Sequence, residues 1–203
     1  MSYSKNSVQA RIKNISAKTG VSANVLLATY FFEAFLYRLS KSDYAENFIF
    51  KGGFYLSSVI GVQNRYTQDL DFKLAGEGLE EENLVKIIND IISKNADDNI
   101  SFDFSSIESI RGEDQYGGFS VSIIGHLENI RQTVNIDIAT GDPITPGSIT
   151  YSYKRLIAED ILNFKAYNLE TILAEKLQTI YSRGLFNSRS KDFYDVYIIH
   201  KLK

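Results

Sequence analysis

Two segments decide how this chain is read: Lys51-Gly52-Gly53-Phe54-Tyr55-Leu56 and, shortly after, Arg65-Tyr66-Thr67-Gln68-Asp69-Leu70-Asp71-Phe72. Phe48-Ile-Phe50 runs into the first as a brief buried strand. The paired glycines end that strand and open a short helix, expected over Phe54 to Ile60. Asp69 to Leu74 alternates polar and apolar residues, as a half-buried strand does. Residues i and i+2 of a strand share a face, so Asp69 and Asp71 present two carboxylates side by side while Leu70 and Phe72 turn into the core. Adjacent carboxylates repel unless a cation neutralises them, and hard oxygen ligands select Mg²⁺ or Mn²⁺. At the glycines, backbone N–H groups and a helix N-terminus suit a phosphate. Each half alone is ordinary: Asp-x-Asp on a strand is more often a solvated edge, and Gly-Gly a tight turn. Their order is what carries information.

The rest of the chain bounds the possibilities. Its 203 residues (23.0 kDa) suffice for a sizeable core, and 44% hydrophobic with 23% charged residues is a globular composition. The absence of cysteine excludes a disulfide scaffold, a thiolate zinc site and a cysteine nucleophile. Two histidines argue against a multi-histidine metal site, and both His126 and His200 read as structural or exposed. No stretch reaches the roughly 18 apolar residues of a membrane span. Met1-Ser-Tyr-Ser-Lys-Asn-Ser-Val8 lacks the apolar core of a signal peptide, which points to a cytoplasmic protein. The net charge of −3 is uneven: residues 1–150 hold 13 basic and 19 acidic side chains, residues 151–203 hold 9 and 6. A basic C-terminal quarter suits a polyanion weakly.

Periodicity predicts helices over Ser7–Lys18, closed by Gly20, and from a Ser22 cap through Ser40. A further helix is expected over Leu79–Ser93, opened by Glu80-Glu-Glu82. Strands are expected over Ile100–Ser109, Gly118–Leu127 and Gln132–Ala139, the last two as a meander. The turn-formers of Gly141-Asp-Pro-Ile-Thr-Pro-Gly147 mark a boundary between residues 1–147 and a C-terminal segment, 148–203, of a strand and mostly helix. Asn168–Arg183 and Ser188–Lys201 close the chain as a helical pair. The order predicts an α+β protein, a mixed sheet with flanking helices.

Strand, Gly-Gly, helix and Asp-x-Asp strand, in that order, resemble the nucleotidyltransferase fold of polymerase-β-like enzymes. The fold implies a third carboxylate on a later strand. Asp137, in Asn135-Ile-Asp137-Ile, alternates correctly to supply it, with Asp142 as runner-up. Toward the C-terminus, Glu170-Thr-Ile-Leu-Ala-Glu175-Lys176…Arg183-Gly and Asn187-Ser-Arg189-Ser-Lys191-Asp192-Phe-Tyr-Asp195-Val-Tyr resemble the AbiEii/AbiGii nucleotidyltransferase toxins of bacterial abortive-infection systems, as does Lys-Gly-Gly…Arg-x-Thr-x-Asp-Leu-Asp-Phe. The resemblance runs from about Phe48 to Tyr197. It implies Mg²⁺-dependent use of a nucleoside triphosphate (NTP), tRNA as the acceptor in some members, and a helix-turn-helix antitoxin as partner. Many relatives continue beyond the last motif, so it also implies a compact member or a shortened chain.

Carried over residue by residue, the resemblance implies Asp69, Asp71 and Asp137 as metal ligands and catalytic residues, with Lys176 and Asp192 also catalytic. Lys51, Gly52, Gly53, Arg65, Thr67 and Arg183 would bind the nucleotide. Lys176 and Arg183, seven apart, share a helical face and could clamp a triphosphate, flanked by Glu175 and Lys191. Asp192 and Asp195 lie near Arg189 and could equally form an ion pair that positions the last helix. Most aromatics fall at core periodicity; Tyr66, beside the Asp-x-Asp strand, is the one placed to meet a base. Two other classes stay open, a nucleotide-binding module acting through a protein partner and an enzyme modifying a protein hydroxyl. A P-loop is absent.

Overall fold

A computed structural model describes residues 3–76, 80–110, 117–141, 143–184 and 188–202. The runner-up Asp142, like Leu79 at the expected start of the fourth helix and Asn187 in the C-terminal motif, lies outside them. Two helices lead, α1 (Lys5–Thr19) and α2 (Ala23–Ser40). Gly20 stops α1 in the left-handed conformation at φ 74°, and the Ser22 hydroxyl accepts the Val25 N–H to start α2. Then follow β1 (Phe48–Lys51), α3 (Gly52–Ile60), β2 (Asp69–Leu74), α4 (Glu81–Ile92), β3 (Ser101–Ile110), β4 (Gly118–Leu127) and β5 (Ile130–Ala139). The chain ends with β6 (Ile149–Lys154), β7 (Ile161–Ala166), α5 (Leu169–Arg183) and α6 (Ser190–Leu202).

The seven strands form one mixed sheet in the order β3-β4-β5-β2-β1-β7-β6, with β2–β5 and β1–β7 parallel and the other pairs antiparallel. Where one strand was expected after residue 147, there is a hairpin. Tyr151-Ser-Tyr153 and Leu162-Asn-Phe164 do alternate, but the turn between them, Arg155–Asp160, contains neither glycine nor proline and so gave no punctuation. Arg155 closes it with two bonds to Asp160, at 2.5 and 2.7 Å.

Alternation along β2 sorts the two faces of the sheet. Leu70 and Phe72 are wholly buried, and Phe72 stacks on Phe50 at 5.4 Å and meets Phe35 of α2 at 6.5 Å. That face carries the core under α2, whose Phe31, Phe35, Leu36 and Leu39 are inaccessible to solvent. Gly125 of β4 permits the close approach, because a Cβ there would overlap the Phe31 ring. Asp69 and Asp71 are left on the opposite face. Among the described residues no helix is long and apolar enough to cross a membrane.

One carboxylate sits inside the core. Glu33 of α2 is 1% exposed, and its Oε1 accepts from the Tyr153 hydroxyl and the Leu156 N–H, each at 2.6 Å, which ties α2 to the hairpin. Burial pushes its carboxyl from 4.5 up to about 7. The folded chain therefore holds this proton more tightly than the unfolded chain. The resulting stability is complete below about pH 4.5 and is lost as pH rises through 7. Glu33→Gln should remove a fall of about 3 kcal/mol across that window. Urea melts of both chains at pH 5 and pH 8 measure it, and an undiminished fall in the variant would exclude Glu33 as its source.

Candidate active site

The site grows from the junction of β1 and α3. Gly52 has φ +67°, and a Cβ there would run into the Asp71 carboxylate, so the backbone can pass this close only as glycine. The Gly53 N–H donates to Asp71 Oδ2 at 3.0 Å. That N–H is thus held by a carboxylate of the next strand, and a Cβ on Gly53 would crowd Arg65 and Thr67. The pair serves as a close-packing hinge that sets β1, α3 and the loop before β2 against one another.

Sheet register gathers the carboxylates. Asp71 stands opposite Lys51 on β1 and opposite Asp137 on β5, and Asp69 stands opposite Asn135. Asp69, Asp71 and Asp137 thus occupy neighbouring positions on one face. Each has one oxygen held: Asp69 Oδ1 by the Thr67 hydroxyl, Asp71 Oδ2 by Gly53, and Asp137 Oδ1 by the Ser120 hydroxyl at 2.7 Å. Among the described residues no protein donor meets the second oxygen of any of the three. Burial and then the neighbouring Asp69 charge push the Asp71 carboxyl from 3.8 up to about 6; Asp137 adds to this, and the Gly53 bond and Lys51 oppose it.

Above these strands α5 and α6 form the far wall of a cleft of about 430 Å³. Lys51, the glycines, Arg65, Thr67, Asp69 and Asp71 line it from below; Glu175, Lys176, Arg189, Lys191 and Asp192 line it from above. Lys51 reaches across to Glu175 at 2.8 Å and lies 4.9 Å from the centre of the Tyr167 ring. Lys176 faces the cleft, but its ammonium sits between Asp192 Oδ1 at 2.7 Å and Asp195 Oδ2 at 3.1 Å. Arg65 is also engaged, gripping Asp195 through Nε at 2.7 Å and Nη2 at 3.2 Å. Asp192 and Asp195 are completely buried, and Arg189 reaches Asp192 at 2.8 Å.

Two expected nucleotide contacts therefore stand differently. Arg65 is turned into a buried ion pair, and Arg183 is exposed at the end of α5 and does not line the cleft. Asp195, left open between catalysis and structure, is the acid that fastens α6 to the loop before β2. Ser120 could not be picked out beforehand, since only the β4–β5 register brings it to Asp137. His126 lies 3.0 Å from Asp103 and His200 is exposed; neither lines the cleft.

Residues 34–203 match the sequence model of a family described as nucleotidyl transferase AbiEii toxin, type IV toxin–antitoxin system. This chain belongs to the AbiEii family. No curated protein matches it. Among solved structures it is similar to a candidate nucleotidyltransferase from H. pylori, with TM-score 0.58 and 18% identity over 89% of this chain and 70% of that one. It is also similar to an antigenic nucleotidyltransferase-like protein from Paracoccidioides brasiliensis, with TM-score 0.59 and 16% identity over 90% and 78%. At these identities the likeness is one of fold, and the mixed sheet with its flanking helices is a nucleotidyltransferase fold.

The donor set of this AbiEii chain suits a hard divalent cation. Three carboxylates share one face, each keeps an oxygen without a protein donor among the described residues, and burial together with the neighbouring carboxylates raises Asp71. Among the described residues, however, no three acidic or imidazole side chains are already drawn together as a metal-holding group. The fit rests on charge and donor type.

Proposed function

We propose that this AbiEii chain transfers a nucleoside monophosphate from an NTP to an acceptor hydroxyl, with tRNA as the acceptor and Mg²⁺ or Mn²⁺ as cofactor. The observation that carries the reading is the alignment of Asp69, Asp71 and Asp137 on one sheet face, the first two lining the cleft and Asp137 standing next to Asp71 on the neighbouring strand. These three would hold the cation, which when bound polarises the phosphoryl oxygens and neutralises developing charge. Thr67, Gly53 and Ser120 orient the three carboxylates by their hydrogen bonds. Asp137 would accept the proton of the attacking hydroxyl. Arg189 and Lys191 on the cleft wall supply positive charge toward the triphosphate, and Lys176 adds to it while held by its two aspartates.

A polyanionic acceptor is favoured by how charge is exposed on the C-terminal helices. On α5 and α6, Asp192 and Asp195 are buried and Glu175 is paired with Lys51, which leaves Glu170 as the exposed acid against Arg183, Arg189, Lys191 and Lys201, all facing solvent. The family is the toxin half of a type IV system, and a helix-turn-helix antitoxin is the partner proposed to restrain the chain in the cytoplasm. The test offers the protein each α-labelled NTP in turn with Mg²⁺ and either total tRNA or cell protein. Label on tRNA supports the reading. Label on protein moves the acceptor to a side chain, and bound nucleotide without turnover leaves only a binding module.

A further inference from the structure

We propose that Tyr66 forms the wall of a nucleobase subsite at the mouth of the cleft. This rests on the reading of the cleft as a nucleotidyl-transfer site. Tyr66 is 49% exposed although both its neighbours, Arg65 and Thr67, are built into the cleft lining. Those neighbours are fixed, Arg65 by Asp195 and Thr67 by Asp69, and Arg65 Nη1 also donates to the Tyr66 carbonyl at 3.2 Å. An exposed aromatic ring is thus carried on a braced backbone. Lys191, a lining residue of the opposite wall, holds its ammonium 5.3 Å from the ring centre. Ring and cation meet beside the cleft, where α6 approaches the loop before β2.

The two most exposed other aromatics, Tyr181 and Tyr197, do not share this placement. The cleft side of α5 is Ile172, Glu175, Lys176 and Thr179, and helical spacing puts Tyr181 on the side away from it. On α6 the buried side is Asp192, Asp195 and Ile199, and Tyr197 falls opposite them. Tyr66 is three residues from Asp69, a span of about 10 Å at most, which is within reach of one nucleoside whose phosphate is at the carboxylates. A planar base stacked on the ring beside an ammonium fits both the apolar and the charged parts of the rim. The base belongs either to the NTP or to the end of the acceptor strand.

Binding to the full chain separates these sources, using Tyr66→Ala and Tyr66→Phe with each of the four NTPs, inorganic tripolyphosphate and a short single-stranded RNA, all with Mg²⁺. Loss of one stacked base should weaken Kd about 5- to 150-fold. If Tyr66→Ala weakens NTP binding by this amount, leaves tripolyphosphate unchanged, and Tyr66→Phe behaves as the parent, the base is that of the nucleotide. The same pattern confined to the RNA assigns the subsite to the acceptor. Unchanged affinity for both, or a Tyr66→Phe chain as weak as Tyr66→Ala, overturns stacking. A parent chain that binds tripolyphosphate no less tightly than NTP or RNA also overturns the base subsite and leaves the phosphate site standing. A parent chain that binds none of the probes overturns both readings.

Discussion

Asp71→Asn is expected to lower nucleotidyl transfer by about 10³-fold or more while leaving the chain folded, because the several kcal/mol of charge stabilisation at the transferring phosphoryl depends on this carboxylate. Asp71 is the middle of the three acids, with Asp69 two residues away on β2 and Asp137 opposite it on β5. The substitution keeps shape and keeps an oxygen to accept the Gly53 N–H. It removes a charge that its surroundings disfavour, as the rise of its carboxyl to about 6 records. No loss of stability follows at neutral pH, so thermal melts of the two chains should coincide or favour the variant. Single-turnover transfer with saturating NTP measures the rate. A variant within tenfold of the parent would remove Asp71 from the metal-binding set, whatever the status of the fold. Ser120→Ala makes a useful comparison, since Asp137 keeps its charge and loses only an orienting bond; the loss there should be far smaller.

What could be read in the sequence was local. Alternation in Asp69-Leu-Asp71-Phe72 assigns carboxylates and apolar side chains to opposite faces without knowledge of any neighbour. Gly20 and Ser22 announce the end of α1 and the start of α2 by capping chemistry confined to a few residues. The hidden features depend on distant partners. Arg65 and Asp195 are 130 residues apart, and nothing in either segment says that the guanidinium turns down toward α6 and away from a nucleotide. Lys176 and Arg183 share a helical face by spacing, yet only Lys176 lines the cleft, since Arg183 sits in the last turn of α5, beyond the cleft wall. The glycine pair was legible as a turn. Its packing role became visible only when the Asp71 carboxylate was found where a Gly52 Cβ would stand. The β6–β7 hairpin escaped because its turn is held by the Arg155–Asp160 pair in place of the usual turn-formers.

The deepest of these distant contacts carries the second large effect. Asp195→Ala should destabilise the chain by about 3–5 kcal/mol, because it strands the Arg65 guanidinium, which the fold has withdrawn from water, and takes from Lys176 one of its two acids. Asp195 is wholly buried, Arg65 is 9% exposed, and the Lys176 ammonium is shared between Asp195 and Asp192. Removing Asp195 leaves Lys176 with Asp192 but leaves Arg65 Nε and Nη2 without an acid. For a chain of this size the loss corresponds to a fall in Tm of about 6–20 °C. Asp160→Ala supplies the contrast. It breaks a two-bond pair of similar geometry with Arg155, but in a surface turn whose acid is already 43% exposed and so holds the pair less tightly, with the Arg155 side chain 13% exposed, and the loss should be smaller, about 1 kcal/mol. Replacing Arg65 and Asp195 together, as Arg65→Met with Asp195→Leu, should recover much of the loss, since an apolar pair of similar volume leaves no buried charge uncompensated. Denaturant melts of the parent, the two single variants and the double variant measure all of this. If Asp195→Ala costs no more than Asp160→Ala, the network does not hold α6 to the loop before β2. The far wall of the cleft would then depend on α5–α6 packing alone.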